Sequence, residues 1–142
     1  MHLFIIPLVV MIITQALKLF IEAARGNFSW SHLTGYGGMP SSHSAIVVSL
    51  STTLGYYEGF ASPAFAVSII LLSLVLRDAA GLRFQLGVHG HIINKLIKEL
   101  PEREEYKFPV LTERLGHTLL EVSAGVVVGF ILTILMITAW PG

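Results

Sequence analysis

The stretch Gly37-Gly38-Met39-Pro40-Ser41-Ser42-His43-Ser44-Ala45 stands directly ahead of an apolar run. It has the grammar of a helix start: glycines that let the backbone turn, a proline suited to the first helical turn, and serines able to cap it. Unpaired N–H groups at such a start, with the positive end of the helix dipole, favour an anion. A histidine placed there, His43, can exchange a proton with the bound anion. The rest of the chain is expected to fold so that a second histidine and several cations arrive at this point.

Around that stretch lie 142 residues, a length for one domain, read here as a single unit over 1–142. Apolar residues make up 54% and charged ones 13%, about half the charged share of an ordinary soluble protein. The apolar residues fall in long runs, so the balance points to a bilayer. There is no cysteine, which excludes disulfides, thiol nucleophiles and zinc–thiolate sites.

A membrane span needs roughly 20 apolar residues. Spans are expected at about 3–23, 41–60, 64–82 and 116–140, with polar loops at 26–40 and 84–114 and a short turn at Ala61-Ser62-Pro63. The first run lacks a basic leader and a clear small-residue cleavage site, and is read as a span rather than a signal peptide. The second contains Ser49, Ser51, Thr52 and Thr53, as expected of a helix packed inside a bundle. In the second loop Ile92, Ile93, Leu96, Ile97 and Leu100 recur at helical spacing, with Lys95, Lys98 and Glu99 elsewhere on the wheel. That is an amphipathic helix, lying on the membrane surface or against a partner, with Pro101 ending it. The expected fold is all-α and integral to the membrane, with four transmembrane helices plus this cytoplasmic amphipathic helix.

Four spans put both termini on one side and the two polar loops on the other. All nine Lys and Arg residues, at 18, 25, 77, 83, 95, 98, 103, 107 and 114, fall in those loops or at the helix ends facing them. By the positive-inside rule the loops are cytoplasmic, in the cell (inner) membrane, and both termini face the opposite side.

This topology brings Lys18 and Arg25, the Pro40-to-His43 turn, Arg77 to Arg83, and Arg114 to Glu121 to one membrane surface. Lys18 and Arg25 are two helical turns apart; Arg114, His117 and Glu121 follow i, i+3, i+7 on one face. Glu121, one turn from His117, can hold that imidazole in one tautomer. Two histidines, a carboxylate and several cations suit phosphoryl transfer. The cations and a helix start neutralise phosphate oxygens, one imidazole attacks phosphorus, and the other protonates the leaving oxygen. No dedicated metal cage is evident; the cations are expected to stand in place of a metal, with no cofactor.

At these residues the sequence resembles a known group. Lys18-x6-Arg25, Pro40-Ser41-Ser42-His43 and Arg114-x2-His117-x3-Glu121 follow the order of three motifs of the type-2 phosphatidic acid phosphatase superfamily, which includes vanadium haloperoxidases. Gly37 to Ala45, Asp78-Ala79-Ala80-Gly81-Leu82-Arg83, and Leu115-Gly116-His117-Thr118 with Glu121 look like its small divergent membrane branch. The resemblance implies that His117 is the nucleophile and forms a phosphohistidine. It further implies that Glu121 orients His117, that His43 is the general acid, and that Lys18 and Arg25 bind phosphate beside Ser41 and Ser42. The chain departs from the superfamily pattern in three places: Gly26 stands for proline, Ser42 for glycine, and Leu111 for arginine. Arg114 or Arg83 is left to fill the last role.

The expectation is a membrane phosphatase hydrolysing a lipid phosphate or diphosphate, of polyprenyl or phosphatidyl type, at the cytoplasmic leaflet. Its partners are that lipid and the bilayer, with no nucleic acid. Gly125-Val126-Val127-Val128-Gly129 supplies a small-residue face for helix packing, within one chain or between copies as a homo-oligomer. The alternatives are a non-catalytic protein that binds or translocates an anionic lipid, and a structural subunit of a membrane complex. His89 and His91, two apart with no third ligand in view, read as a solvated turn rather than a metal site.

Overall fold

In the computed structural model, residues 2–24, 26, 38–99, 108–111, 113 and 118–140 are described. Among them all regular structure is helical. α1 spans His2–Ala24, α2 Ser42–Tyr57, α3 Pro63–Arg77, α4 Arg83–Lys98 and α5 Leu119–Ala139, and a π-helical turn, Asp78–Leu82, joins α3 to α4.

α2 is the centre of the bundle. It packs against α1, α3 and α5, and α1 and α5 also touch each other. Ser41 caps it with an extended backbone, its hydroxyl accepting the Ser44 N–H at 3.4 Å, so the helix begins where the Pro-Ser-Ser-His stretch predicts. The Met39–Pro40 peptide ahead of the cap is cis. Gly59, at φ +87°, follows the C-terminal end of α2, and Ser62 with Pro63 starts α3.

Three hydroxyls inside α2, those of Ser49, Ser51 and Thr53, are hydrogen-bonded within the bundle. Thr53 donates to the Ser49 carbonyl at 2.7 Å, and Ser51 to the Ser68 carbonyl of α3 at 3.2 Å. Ser49 Oγ shares a 2.7 Å hydrogen bond with Thr133 of α5. Ile6 and Val10 of α1, Ala45 of α2 and Ile137 of α5 form the apolar core. Outward, α1 presents Phe4, Leu8, Ile12 and Phe20, α3 Val67, Ile70 and Leu74, and α5 Leu119, Val127 and Leu135, all exposed.

α1 and α5, of 23 and 21 residues, are the two helices among the described residues long and apolar enough to cross a membrane. The expectation of four such spans is corrected to two. α2 has 16 residues and α3 has 15, about 24 and 22 Å at 1.5 Å per residue, against a hydrocarbon core of roughly 30 Å. The cap at Ser41 and the turn at 58–62 bound α2, and the π-helical turn ends α3. α2 has the length that contact with its neighbours demands, because it faces protein on three sides.

The amphipathic helix forms but starts earlier than expected, at Arg83, and runs through Gly87, His89, Gly90 and His91. The solvated turn read at the two histidines is therefore part of α4. Gly87, Gly90 and Asn94 make its buried face. Asn94 clamps Leu111 against it, donating to the Leu111 carbonyl at 2.8 Å and accepting the Leu111 N–H at 2.9 Å.

Gly125 and Gly129 are used within the chain. A Cβ at Gly125 would collide with the Ser41 carbonyl oxygen, and one at Gly129 would lie 2.6 Å from Ala45 Cα. Both are buried against the start of α2.

Candidate anion site at two helix starts

The starts of α2 and α5 lie side by side, which follows from the glycine contact between them. The Ser41 N–H donates to the Glu121 carbonyl at 3.1 Å. Glu121 occupies the third position of α5, where Thr118 caps the helix. The Glu121 N–H donates to Thr118 Oγ1 at 3.3 Å, and Glu121 Oε2 accepts the Thr118 N–H at 2.8 Å. This reciprocal capping box leaves Oε1 to accept the Gly38 N–H at 3.1 Å. One carboxylate thus ties the 38–41 turn to the start of α5.

Lys18 comes up from α1 beneath that turn. It is 4% exposed, and Glu121 and Glu22 are the carboxylates close enough to compensate its charge. Gly38 crosses over the lysine stem with φ +93°. A Cβ there would lie 2.8 Å from Lys18 Cε and 3.3 Å from Glu22 Oε1, so both conformation and space require glycine.

Of the residues singled out from sequence, the structure brings Lys18, Ser41, Ser42, His43 and Glu121 to this one end of the bundle. His43, in the first turn of α2, is exposed, Ser42 is half-buried and Ser41 is buried as the cap. Arg25, Arg114, His117 and the side chain of Arg83 lie outside the described residues. In sequence His117 stands immediately before the Thr118 cap. The π-helical turn Asp78–Leu82 reaches α5, which brings the Asp78-to-Arg83 segment toward the same end.

Two features of the site went unread in the sequence. One is the capping box: sequence spacing pairs Glu121 with His117, but Thr118-x-x-Glu121 is also the signature of a helix cap. Glu22 is the other, a carboxylate four residues from Lys18 on the same face of α1.

A second polar cluster lies on α4. His91 Nδ1 is 2.8 Å from Glu113 Oε2, and Asn94 donates to Glu113 Oε1 at 2.9 Å. The Asn94 hydrogen bond first, and the one from His91 second, hold the Glu113 carboxyl below its ordinary range. Among the described residues no group of three or more His, Asp or Glu is placed to hold a metal ion.

The chain can now be set beside known proteins. The sequence model of the Divergent PAP2 family matches residues 1–132. The chain is 37% identical over 141 residues to the uncharacterized membrane protein YuiD of Bacillus subtilis, covering 91% of this chain and 89% of that protein. No solved structure matches it significantly.

Proposed function

The chain belongs to the Divergent PAP2 family, and from that premise we propose that it is an integral membrane phosphatase. It hydrolyses a lipid phosphate or diphosphate at the cytoplasmic leaflet. The observation that carries this reading is the meeting of Lys18, the Ser41-to-His43 turn and Glu121 where two helix starts adjoin. The apolar outer surface of α1, α3 and α5 and the membrane character of YuiD support the bilayer setting. The confinement of Lys and Arg to the loops and the helix ends facing them supports the cytoplasmic orientation.

In this reading the phosphate sits over the first turns of α2 and α5, whose N–H dipoles favour negative charge. Lys18, Arg25, Ser42 and either Arg114 or Arg83 complete its surroundings, and Ser41 holds the turn in shape. His117 attacks phosphorus; a P–N bond forms as the bond from phosphorus to the lipid oxygen breaks, and His43 gives that oxygen a proton. Water then attacks the phosphohistidine with His43 taking its proton, the P–N bond breaks, and inorganic phosphate leaves. Glu121, held by the Gly38 and Thr118 N–H groups, orients the His117 imidazole in this reading.

A second reading has one observation in its favour: Glu121 already serves as a cap and a tether. The same site would then bind or translocate an anionic lipid without turnover. Purified protein in vesicles with EDTA separates the two. The phosphatase releases inorganic phosphate from a lipid phosphate and loses that activity in His117→Ala and His43→Ala. Acid-labile phosphate on His117, found by mass spectrometry, marks the nucleophile. Lipid binding without phosphate release in any headgroup series selects the second reading.

A further inference from the structure

An open-sided cleft of about 480 Å³ lies between α3 and α5, with α2 as its floor. Val48, Thr52, Gly55 and Tyr56 line the floor; Ile69 and Leu72 form one wall, Phe130 and Ile134 the other. Its volume is that of ligand pockets generally. α3 packs on α2 and not appreciably on α5, so among the described residues nothing closes the gap from outside. Phe130, Ile134 and Ile69 remain exposed along it.

The lining is nearly all carbon. The one floor serine, Ser51, has its hydroxyl committed to the Ser68 carbonyl at 3.2 Å. Such a surface, opening sideways at the depth of a membrane-crossing helix, faces hydrocarbon and not water. Ser41, Val48, Thr52, Gly55 and Tyr56 share one side of α2 by helical spacing. The cleft is therefore the continuation, toward the far end of the bundle, of the face that begins at the anion site.

We infer that this cleft binds the hydrocarbon chain of the lipid whose phosphate occupies the site, and that the chain is longer than one leaflet is deep. The inference rests on the phosphatase reading for its headgroup and on the cleft for its tail. Val48 is 7 residues and Tyr56 is 15 residues beyond Ser41, so the floor begins about 10 Å and ends about 22 Å below the phosphate. Half of the hydrocarbon core is about 15 Å. A tail confined to its own leaflet reaches only the upper part of the cleft. A single chain that passes the midplane fills it, buries the walls and leaves lipid order on the far side undisturbed. Of the two tails that the sequence left open, the polyprenyl kind has this length.

The test uses the full chain in phosphatidylcholine vesicles with two single-chain lipid phosphates, one short and one longer than a leaflet. Each carries a photoactivatable diazirine at its terminal carbon. The long probe is expected to mark Thr52, Tyr56, Phe130 or Ile134, and Thr52→Trp, which fills the cleft, should remove that mark. In turnover, the long lipid should exceed the short one in kcat/KM by about tenfold or more, and Thr52→Trp should erase that preference. Terminal label spread evenly over Phe4, Leu8 and Ile12 of α1, or a preference untouched by Thr52→Trp, overturns the inference. Cross-linking needs no catalysis: label in the cleft without phosphate release keeps the cleft and removes the phosphatase, and the converse result does the reverse.

Discussion

The Gly38 N–H donates to Glu121 Oε1 at 3.1 Å across 83 residues of sequence, fastening the turn ahead of α2 to the first turn of α5. The same carboxylate accepts the Thr118 N–H at 2.8 Å through its other oxygen. Glu121→Ala takes this acceptor from both N–H groups and breaks the reciprocal half of the capping box, while Thr118 still caps the helix. Thermal unfolding in detergent should show a loss of about 1–3 kcal/mol. Glu121→Gln should fall between, since its amide nitrogen meets one of the two donors with another donor. Equal midpoints for all three proteins would contradict the tether.

Gly38 and Gly26 separate backbone strain from steric contact. Both have positive φ, +93° and +73°, but a Cβ on Gly26 meets nothing within 4 Å. Gly26→Ala should cost only the left-handed backbone penalty of about 1–2 kcal/mol. Gly38→Ala adds a Cβ 2.8 Å from Lys18 Cε, so it should cost clearly more and lower phosphate affinity as well. Matching losses at the two positions would mean that the lysine stem moves freely.

The glycine contact between α5 and α2 admits no side chain. At Gly125 and Gly129 the nearest atoms are backbone atoms of Ser41 and Ala45, which cannot rotate away. Gly129→Ala is expected to destabilise by about 1–3 kcal/mol or to prevent accumulation of folded protein. Gly81, in the π-helical turn with nothing within 4 Å, is the control; Gly81→Ala should be neutral to mildly stabilising, by about 0.5 kcal/mol. Expression and detergent melting read both.

Much of this arrangement was legible beforehand, and the limits have physical causes. Pro40 and Ser41 announce the start of α2 because a cap is a local, side-chain-to-backbone affair. The apolar lengths of α1 and α5 are equally local. The count of spans was not legible, because the lengths of α2 and α3 are set by the turn at 58–62 and the π-helical turn, features that a run of apolar residues does not encode. His89 and His91 read as a solvated turn, yet α4 runs through them, with Gly87, Gly90 and Asn94 on its buried face and Asn94 bonded to Leu111. Glu121 was found as a site residue for its place beside His117, while its observed bonds go to Thr118 and to a glycine 83 residues away.

The clamp on α4 should respond to acid. Hydrogen bonds from Asn94 and then His91 hold the Glu113 carboxyl below its ordinary value of 4.5. A carboxyl lowered in the folded state favours the closed clamp above its unfolded value, and that contribution is lost as pH falls through the lowered one. Nuclear magnetic resonance of the Leu111 amide, which donates to Asn94 Oδ1 at 2.9 Å, should show a shift and loss of protection below about pH 4.5. Glu113→Gln should flatten that titration. Persistence of the same acid transition in Glu113→Gln would assign it to another group.

α2 carries the turn with His43 while α1, α3 and α5 surround it on three sides. On those three sides its surroundings are protein, so the depth and tilt of the outer helices adjust to the bilayer while the inner helix keeps its contacts. Turnover should accordingly stay nearly level when the host vesicle is made thinner or thicker. In the proposed phosphatase the outer helices act as a sleeve that decouples the chemistry from the mechanics of the membrane.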